Sequence, residues 1–302
     1  MHLHRSGLDV VVQAPAKLNL FFEVLGRRDD GYHDIETLVT PIGFYDTLCF
    51  RNRDDGQVRL TCQRTYGAWS AGSGWLDGLP DGPENLVFRA VESLRRRAGV
   101  RRGASLRLVK HIPTAAGLGG GSSDAAAALL AASVGWNLGW SREELAELGA
   151  ELGSDVPLFF APGPAVCRGR GERVQSIRGP QGLHFVVVRP PVGLSTAAVY
   201  RACQPPQGPR SVQPLLEALG KGDLRGIGRL LFNRLESAAE SLSPWIGRIR
   251  EAMEGADCLG HQMTGSGTCY FGLCRHARHA RRVARRLHAS GVGIAFAVQG
   301  CC

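Results

Sequence analysis

Lysine is almost missing from this chain of 302 residues: of 36 basic residues only Lys17, Lys110 and Lys221 are lysine. Where arginine fills nearly every basic position, each remaining lysine is a candidate for a place that takes a compact ammonium and not a planar fork. Long apolar runs are missing too. Nothing approaches the ~18 residues that a membrane-crossing helix needs. Val10-Val11-Val12 is too short for the core of a secretory leader, and Ala14-Pro15-Ala16 matches a cleavage site only superficially. These absences lead to the expectation of a cytoplasmic chain without a membrane partner. The nine cysteines (49, 62, 167, 203, 258, 269, 274, 301 and 302) are odd in number, scattered, and never spaced Cys-x-x-Cys. That argues against structural zinc and a disulfide framework, and for reduced thiols. No internal repeat is present, and the glycines follow no three-residue period, so a collagen-like chain is excluded.

What is present suits a folded protein of about two domains. Hydrophobic residues make up 44% and charged residues 21%, enough to bury a core and too balanced for a disordered chain. The 40 glycines are nearly double the usual ~7% share. Net charge is +9 with a pI near 9.4. Most of this charge sits in Arg95-Arg96-Arg97, Arg101-Arg102 and residues 275–286. In the last run Ala277, Ala280, Val283, Ala284 and Leu287 recur at helical spacing, which puts the arginines on the outer face of an amphipathic helix. No aromatic interleaving or binding motif accompanies them, so a solvated face is favoured over a nucleic-acid site.

Residues 8–25 alternate as strand material around an interruption at Pro15, and a second extended stretch runs over 35–50 after a polar turn at 27–31. Residues 67–83 read as a long irregular loop. Asn85 caps a helix whose Val87, Ala90, Val91 and Leu94 share a face, with Gly99 as its stop. Residues 105–111 form a strand that runs through a glycine loop into an alanine-rich helix. Ser141 and Glu144 form a capping box for the next helix, which ends at Gly153. Residues 185–188 are a buried strand, and 263–271 are a second glycine turn leading into a strand. The pattern is an α/β chain with a boundary near 160–180.

The loop Gly117-Leu-Gly-Gly-Gly-Ser-Ser-Asp124 carries the chemistry. Consecutive glycines let backbone N–H groups converge without Cβ obstruction, and Ser122, Ser123 and Asp124 open a helix with a partially positive N-terminus. Together these make an anion site suited to phosphates. It lacks the Gly-Lys-Ser/Thr of a Walker loop, and its third dinucleotide-fingerprint position is Ser122. A plain turn capping a helix needs fewer glycines. Phosphoryl transfer to an alcohol also needs a proton acceptor and a cation. Asp155 is a candidate base; its bland alternative is an N-cap for a short helix over 157–160. Lys17 shares one face of an apolar strand with Asn19, pointing either inward to a site or outward to solvent.

Residues 113–124, 153–157 and 264–268 resemble the motifs of the GHMP small-molecule kinases, which include galactokinase, homoserine kinase and mevalonate kinase. The resemblance narrows through Pro-Ala-Lys-Leu-Asn-Leu (15–20), Gly31-Tyr32-His33 and the loop at 117–124. Gly-Ser-Asp-Val-Pro (153–157) and Thr-Gly-Ser-Gly (264–267) extend it, towards members whose acceptor is a cytidine-diphosphate-linked methylerythritol. It implies an α/β (α+β type), two-domain GHMP kinase fold. Residues 1–165 would be an ATP-binding domain like domain 2 of a small-subunit ribosomal protein, and 166–302 a ferredoxin-like C-terminal domain.

The resemblance implies that ATP phosphorylates a C2 hydroxyl, with Asp155 as base and Lys17 beside the reacting oxygen. Pro113, Thr114, Ala115, Ala116, Gly117, Leu118, Gly119, Gly120, Gly121, Ser122 and Ser123 would hold the ATP phosphates, with Asn85 and Lys110 around the nucleotide. Magnesium is expected with ATP, Ser123 being its candidate ligand by analogy. His33 would bond the edge of the cytosine while Tyr32 and Tyr200 stack on its faces. Asn19 and Thr196 fall at substrate positions, and Gly265, Ser266 and Gly267 at an active-site loop. The expected partner is the small-molecule substrate, with no nucleic acid, and the expected state is a monomer or weak homodimer. The alternatives are another acceptor such as mevalonate or homoserine, a non-catalytic sensor on the same fold, and an arginine-driven nucleic-acid binder. Gly31-Tyr32-His33 and Tyr200 argue against the first; the intact Asp155, Lys17 and glycine loop argue against the second.

Overall fold

The computed structural model of the chain describes residues 1–64, 79–179 and 182–301. Most of the segment expected as an irregular loop, 67–83, and Cys302 lie outside the described residues. Along the chain two units interleave: Met1–Ala16, Phe44–Thr114 and Gly119–Ala161 form the first, and Lys17–Gly43, Ala115–Leu118 and Pro162–Cys302 the second. The 1–165/166–302 division expected from the sequence is linear. The two long strands near the N-terminus make the observed one discontinuous, because each begins in one unit and ends in the other.

The first unit contains β1 (His2–Ser6), the start of β2 (Asp9–Arg27), the end of β3 (His33–Arg53), β4 (Val58–Arg64), α1 (Leu86–Arg97), β5 (Gly103–Lys110), α2 (Gly120–Gly135) and α3 (Arg142–Leu152). A short 3₁₀ turn, Pro157–Phe160, follows. β1 runs antiparallel to β2, with His2 opposite Gln13. β5 lies antiparallel to β3 and parallel to β4. Pro15 does not interrupt β2 as its sequence suggested: the β1 ladder ends at Gln13, so it makes no demand on the missing N–H.

Helices α1, α2 and α3 pack on one another. Asn85 caps α1 by accepting from Val87 N at 2.9 Å, and Ser141 and Glu144 close the capping box of α3. The alanine-rich α2 is buried around most of its circumference, as suits a helix without a polar face. Its Gly135 is fixed by packing, since a Cβ there would lie 2.2 Å from the Phe50 ring.

The second unit takes the end of β2 and the start of β3, and adds β6 (Ala165–Gly169), β7 (Arg173–Ser176), β8 (His184–Arg189), α4 (Thr196–Ala202), α5 (Gln213–Gly220), α6 (Leu224–Leu230), β9 (Phe232–Asn233), α7 (Glu236–Leu242), α8 (Pro244–Glu254), β10 (Gly260–Met263), β11 (Tyr270–Cys274), α9 (Ala277–Ala289) and β12 (Ile294–Gln299). β6 pairs with β3, and β9 with β2 at Phe21 and Phe22. The antiparallel sheet ordered β10-β11-β8-β12 has the ferredoxin-like strand order. Its β8 face carries Val186 and Val188, which join Met263, Tyr270, Val283 and Leu287 in a buried cluster. Arg278, Arg281, Arg282, Arg285 and Arg286 are exposed along the opposite face of α9. No described helix is long and apolar enough to cross a membrane. The eight described cysteines are unbridged.

Candidate active site

In the first unit, β5 delivers Lys110 into the interior. Its Nζ bonds Asp46 of β3 and, at 2.7 Å, Asp124 of α2; all three side chains are essentially without solvent access. Burial alone would lower the Lys110 pKa, but the two carboxylates outweigh it and hold the ammonium above its ordinary value. Burial pushes Asp124 up to about 8, even beside Lys110. Asp46 also accepts from His111 N at 2.5 Å and Ile112 N at 2.8 Å through its other oxygen. One carboxylate therefore ties down both the end of β5 and the start of the glycine loop. Asn85 is likewise engaged: besides capping α1, its Nδ2 donates to Pro80 O at 2.7 Å. The two residues that the resemblance sets around the nucleotide thus both have their side chains engaged by bonds within the first unit.

The loop differs from expectation in where the helix starts. Gly119 is the N-cap, with φ +71°, and Gly120 and Gly121 are the first residues of α2, ahead of Ser122. Gly120 is needed because a Cβ would lie 2.8 Å from Ile112 Cγ2 and 3.2 Å from Lys110 Nζ. Gly119 provides no side-chain cap, and no acidic residue stands in the first turn. The N–H groups of Gly120, Gly121 and Ser122 therefore point off the helix end without intrahelical acceptors, while Ser123 N bonds Gly119 O at 2.9 Å. This is a ready anion site. Pro113 and Thr114 lead into it from β5. Ser123 Oγ is buried and has no hydrogen-bond partner.

Asp155 stands in the turn between α3 and the 3₁₀ turn, half-buried. It is not the cap its bland alternative required: that place is taken by Val156, without a side-chain cap bond.

In the second unit Lys17 is 4% exposed and points inward, its Nζ 2.5 Å from Asn19 Oδ1. Asn19 Nδ2 donates to Thr37 Oγ1 at 2.8 Å, which donates in turn to Phe21 O at 2.6 Å. Thr264 Oγ1 lies 3.2 Å from Asn19 Oδ1 and 3.3 Å from Gly117 O. The second glycine turn thus meets the first beside the lysine. Ala116 O and Leu118 O take part as acceptors for Cys269 N and Lys17 N. Ala115, the residue before, is exposed with φ +51°. At Gly117, with φ +74°, a Cβ would fall 2.0 Å from Thr264 O. At Gly265, φ +56°, it would fall 3.1 Å from Lys17 Nζ. Gly267 is similarly confined, by Met263 Sδ at 2.7 Å.

The aromatic expectations divide. His33 and Tyr200 come together, ring centroids 5.1 Å apart and tilted 35°. Burial, with Arg27 nearby, lowers the His33 pKa, so the ring is neutral at pH 7. Tyr32 is 53% exposed and carries the Arg170 guanidinium 5.0 Å over its ring. Thr196, at the start of α4, shares a 2.9 Å hydrogen bond with Ser266 of the second glycine turn.

Several residues that shape this site carry no motif. Asp46, Thr37, Gln262 and Asn233 act on backbone groups or side chains that only folding brings near. Gln262 Nε2, for instance, donates to Asn19 O at 2.6 Å. A polar residue in an otherwise apolar strand was the one available signal.

Comparison with known proteins places the chain in a family. Residues 85–163 match the GHMP kinases N terminal domain and residues 215–293 the GHMP kinases C terminal domain. A 4-diphosphocytidyl-2-C-methyl-D-erythritol kinase of Pelotomaculum thermopropionicum is 44% identical over 92% of this chain and 93% of its own. The chain belongs to the 4-diphosphocytidyl-2-C-methyl-D-erythritol kinase family, within the GHMP kinases. Another member of the family, from Bacillus cytotoxicus, is 37% identical over 91% of this chain and 92% of its own. A crystal structure of a 4-(cytidine 5'-diphospho)-2C-methyl-D-erythritol kinase superposes with a TM-score of 0.79 at 35% identity, covering 97% of this chain and 99% of that one. The homoserine kinase of Cytophaga hutchinsonii, 19% identical with a TM-score of 0.77 over 100% of this chain and 97% of its own, shares the fold.

Proposed function

We propose that this chain transfers the γ-phosphoryl group of ATP to the C2 hydroxyl of 4-diphosphocytidyl-2-C-methyl-D-erythritol, a step of the non-mevalonate route to isoprenoid precursors. The chain is an ATP-dependent kinase with an alcohol acceptor. The observation that carries the reading is the buried Lys17, held by Asn19 where the two glycine turns meet. An ammonium fixed in a dry polar cluster is suited to a developing alkoxide and costs little reorganisation when charge appears.

The uncapped N-terminus of α2 receives the phosphates through the N–H groups of Gly120, Gly121 and Ser122. Asp155 takes the proton of the C2 hydroxyl as its oxygen bonds the γ-phosphorus and the bond to the ADP oxygen breaks, the electron pair leaving with ADP. His33, neutral, bonds the cytosine edge, and Tyr200 and Tyr32 supply stacking surfaces. Magnesium, when bound with ATP, spreads the negative charge of the phosphates. It commonly takes few protein ligands, and the partnerless, buried Ser123 Oγ fits that demand. Among the described residues no cluster of three or more His, Cys, Asp or Glu side chains could hold a metal by itself. The enzyme acts in the cytoplasm as a monomer or weak homodimer.

The test is ADP release with ATP and magnesium against four alcohols: the cytidine compound, mevalonate, homoserine and galactose. Turnover is expected with the cytidine compound alone. Asp155→Asn is expected to lower kcat at least ~100-fold, about 2.7 kcal/mol in the barrier. Turnover with a different alcohol refutes the substrate, and a loss of tenfold or less demotes Asp155 to positioning.

A further inference from the structure

Asn233 belongs to no motif, yet it reaches the middle of the second glycine turn. Its side chain is 7% exposed. Nδ2 donates to both Met263 O and Gly265 O, each at 2.8 Å, and Oδ1 accepts from Leu235 N at 3.0 Å. Three residues on, Glu236 accepts from Met263 N at 2.9 Å through one oxygen and from the Tyr270 hydroxyl at 2.6 Å through the other. The N–H and carbonyl of Met263 and the carbonyl of Gly265 are thus all held by the segment 233–236.

What the turn is held against gives this clamp its meaning. Gly265 lies so close to Lys17 and Asn19 that a Cβ would stand 3.1 Å from Nζ and 3.4 Å from Oδ1. Thr264 Oγ1 reaches Asn19 Oδ1 and Gly117 O at 3.2 and 3.3 Å, near the outer limit of a hydrogen bond. A drift of the turn by ~1 Å breaks both, and displacements of that size cost catalysis heavily.

We propose that Asn233 is a positioning residue for phosphoryl transfer, its carboxamide fixing the turn at 264–267 against Lys17 and Asn19. This rests on the kinase reading above. Its loss lowers turnover more than it weakens acceptor binding, because the aromatic pair His33–Tyr200, which holds the cytosine in the reading above, makes no bond to the turn, although Asn19 and Thr196 do.

Two variants test it. Asn233→Ser keeps an acceptor for Leu235 N but is too short to hold two carbonyls. Asn233→Asp keeps the shape and puts an oxygen where the donor stood. Calorimetric titration with ATP counts binding-competent sites, so unfolded protein does not contribute to the rate. Expected is a fall in kcat per ATP site of about tenfold or more in at least one variant, with KM for the alcohol within about threefold of the parent. A smaller fall in both, or a KM rise that accounts for it, overturns the proposal. So does loss of ATP binding in both, which makes Asn233 a folding residue. A parent that uses another alcohol refutes the substrate but leaves this ratio readable; a parent silent on every alcohol defeats the kinase reading and this one together.

Discussion

Replacing Asp46 by alanine should destabilise the chain more than any change at the surface carboxylates. Asp46 is fully buried and performs two jobs: one oxygen pairs with Lys110, the other accepts from His111 N and Ile112 N. Alanine strands two N–H groups, at about 1–3 kcal/mol each. It also removes one of the two carboxylates around a buried ammonium, although Asp124 remains and can ionise to compensate. The sum is roughly 3–5 kcal/mol, which at ~2–4 °C per kcal/mol lowers Tm by about 10 °C. Asp46→Asn keeps an acceptor for His111 and Ile112 but turns an NH2 donor towards Lys110, leaving Asp124 as the ammonium's carboxyl partner, so it should cost less than alanine only if the two backbone bonds dominate. Circular dichroism melts of the parent and both variants at pH 7 provide the comparison. An alanine variant melting within 2 °C of the parent, or an asparagine variant as unstable as alanine, would refute the claim that the two backbone bonds dominate.

Other expectations follow from the same geometry. Gly121→Ala should raise stability by about 0.5–1 kcal/mol, since a Cβ there meets only Leu86 at 3.8 Å. It should nonetheless weaken ATP binding by placing a methyl at the anion site; a thermal melt and a calorimetric titration separate the two, and unchanged ATP affinity sinks the site assignment. Tyr200→Ala should raise KM for the cytidine substrate and spare that for ATP, with a stack worth ~1–3 kcal/mol; steady-state kinetics with each substrate varied decide it. Burial holds the Asp124 pKa well above its ordinary value, so the folded chain keeps that proton to higher pH than the unfolded chain does. The stability that Asp124 contributes is therefore greatest at low pH and declines as pH rises towards its folded pKa. Melts across pH 4–8.5 should show the advantage of the parent over Asp124→Asn shrinking with pH, and a constant gap contradicts the assignment.

The parts of this architecture that are local in sequence were readable from it. Asn85 and Val87, or Ser141 and Glu144, are two or three positions apart, and their caps form as their spacing dictates. The glycine loop, its helix and the face that Lys17 shares with Asn19 were likewise legible, because each rests on periodicity or on residues a few positions apart; that this face points inward is decided only by the fold. The start of α2 was misplaced by two residues, because glycine is a poor helix former and only packing against Ile112 and Lys110 explains Gly120 there. Asp46 and Asn233 were invisible: their partners lie 64 and 30 positions away, with no motif joining them. Pro15 misled for the opposite reason, its local signal being overridden by a ladder that ends before it.

The interleaving of the two units has a consequence for how the chain is made. Residues 17–43 leave the ribosome early, but the β6 residues that pair with Ile35 and Val39 come far later, and Phe21 pairs with Phe232 more than two hundred positions downstream. Until then these segments have unmatched backbone edges, open to the wrong neighbour. A stalled ribosome or a premature stop after residue 161 would release a polypeptide with every residue of the first unit and, attached to it, the second-unit halves of β2 and β3 without their β9 and β6 partners. Such truncations are expected to aggregate, and neither unit can be excised as one continuous fragment.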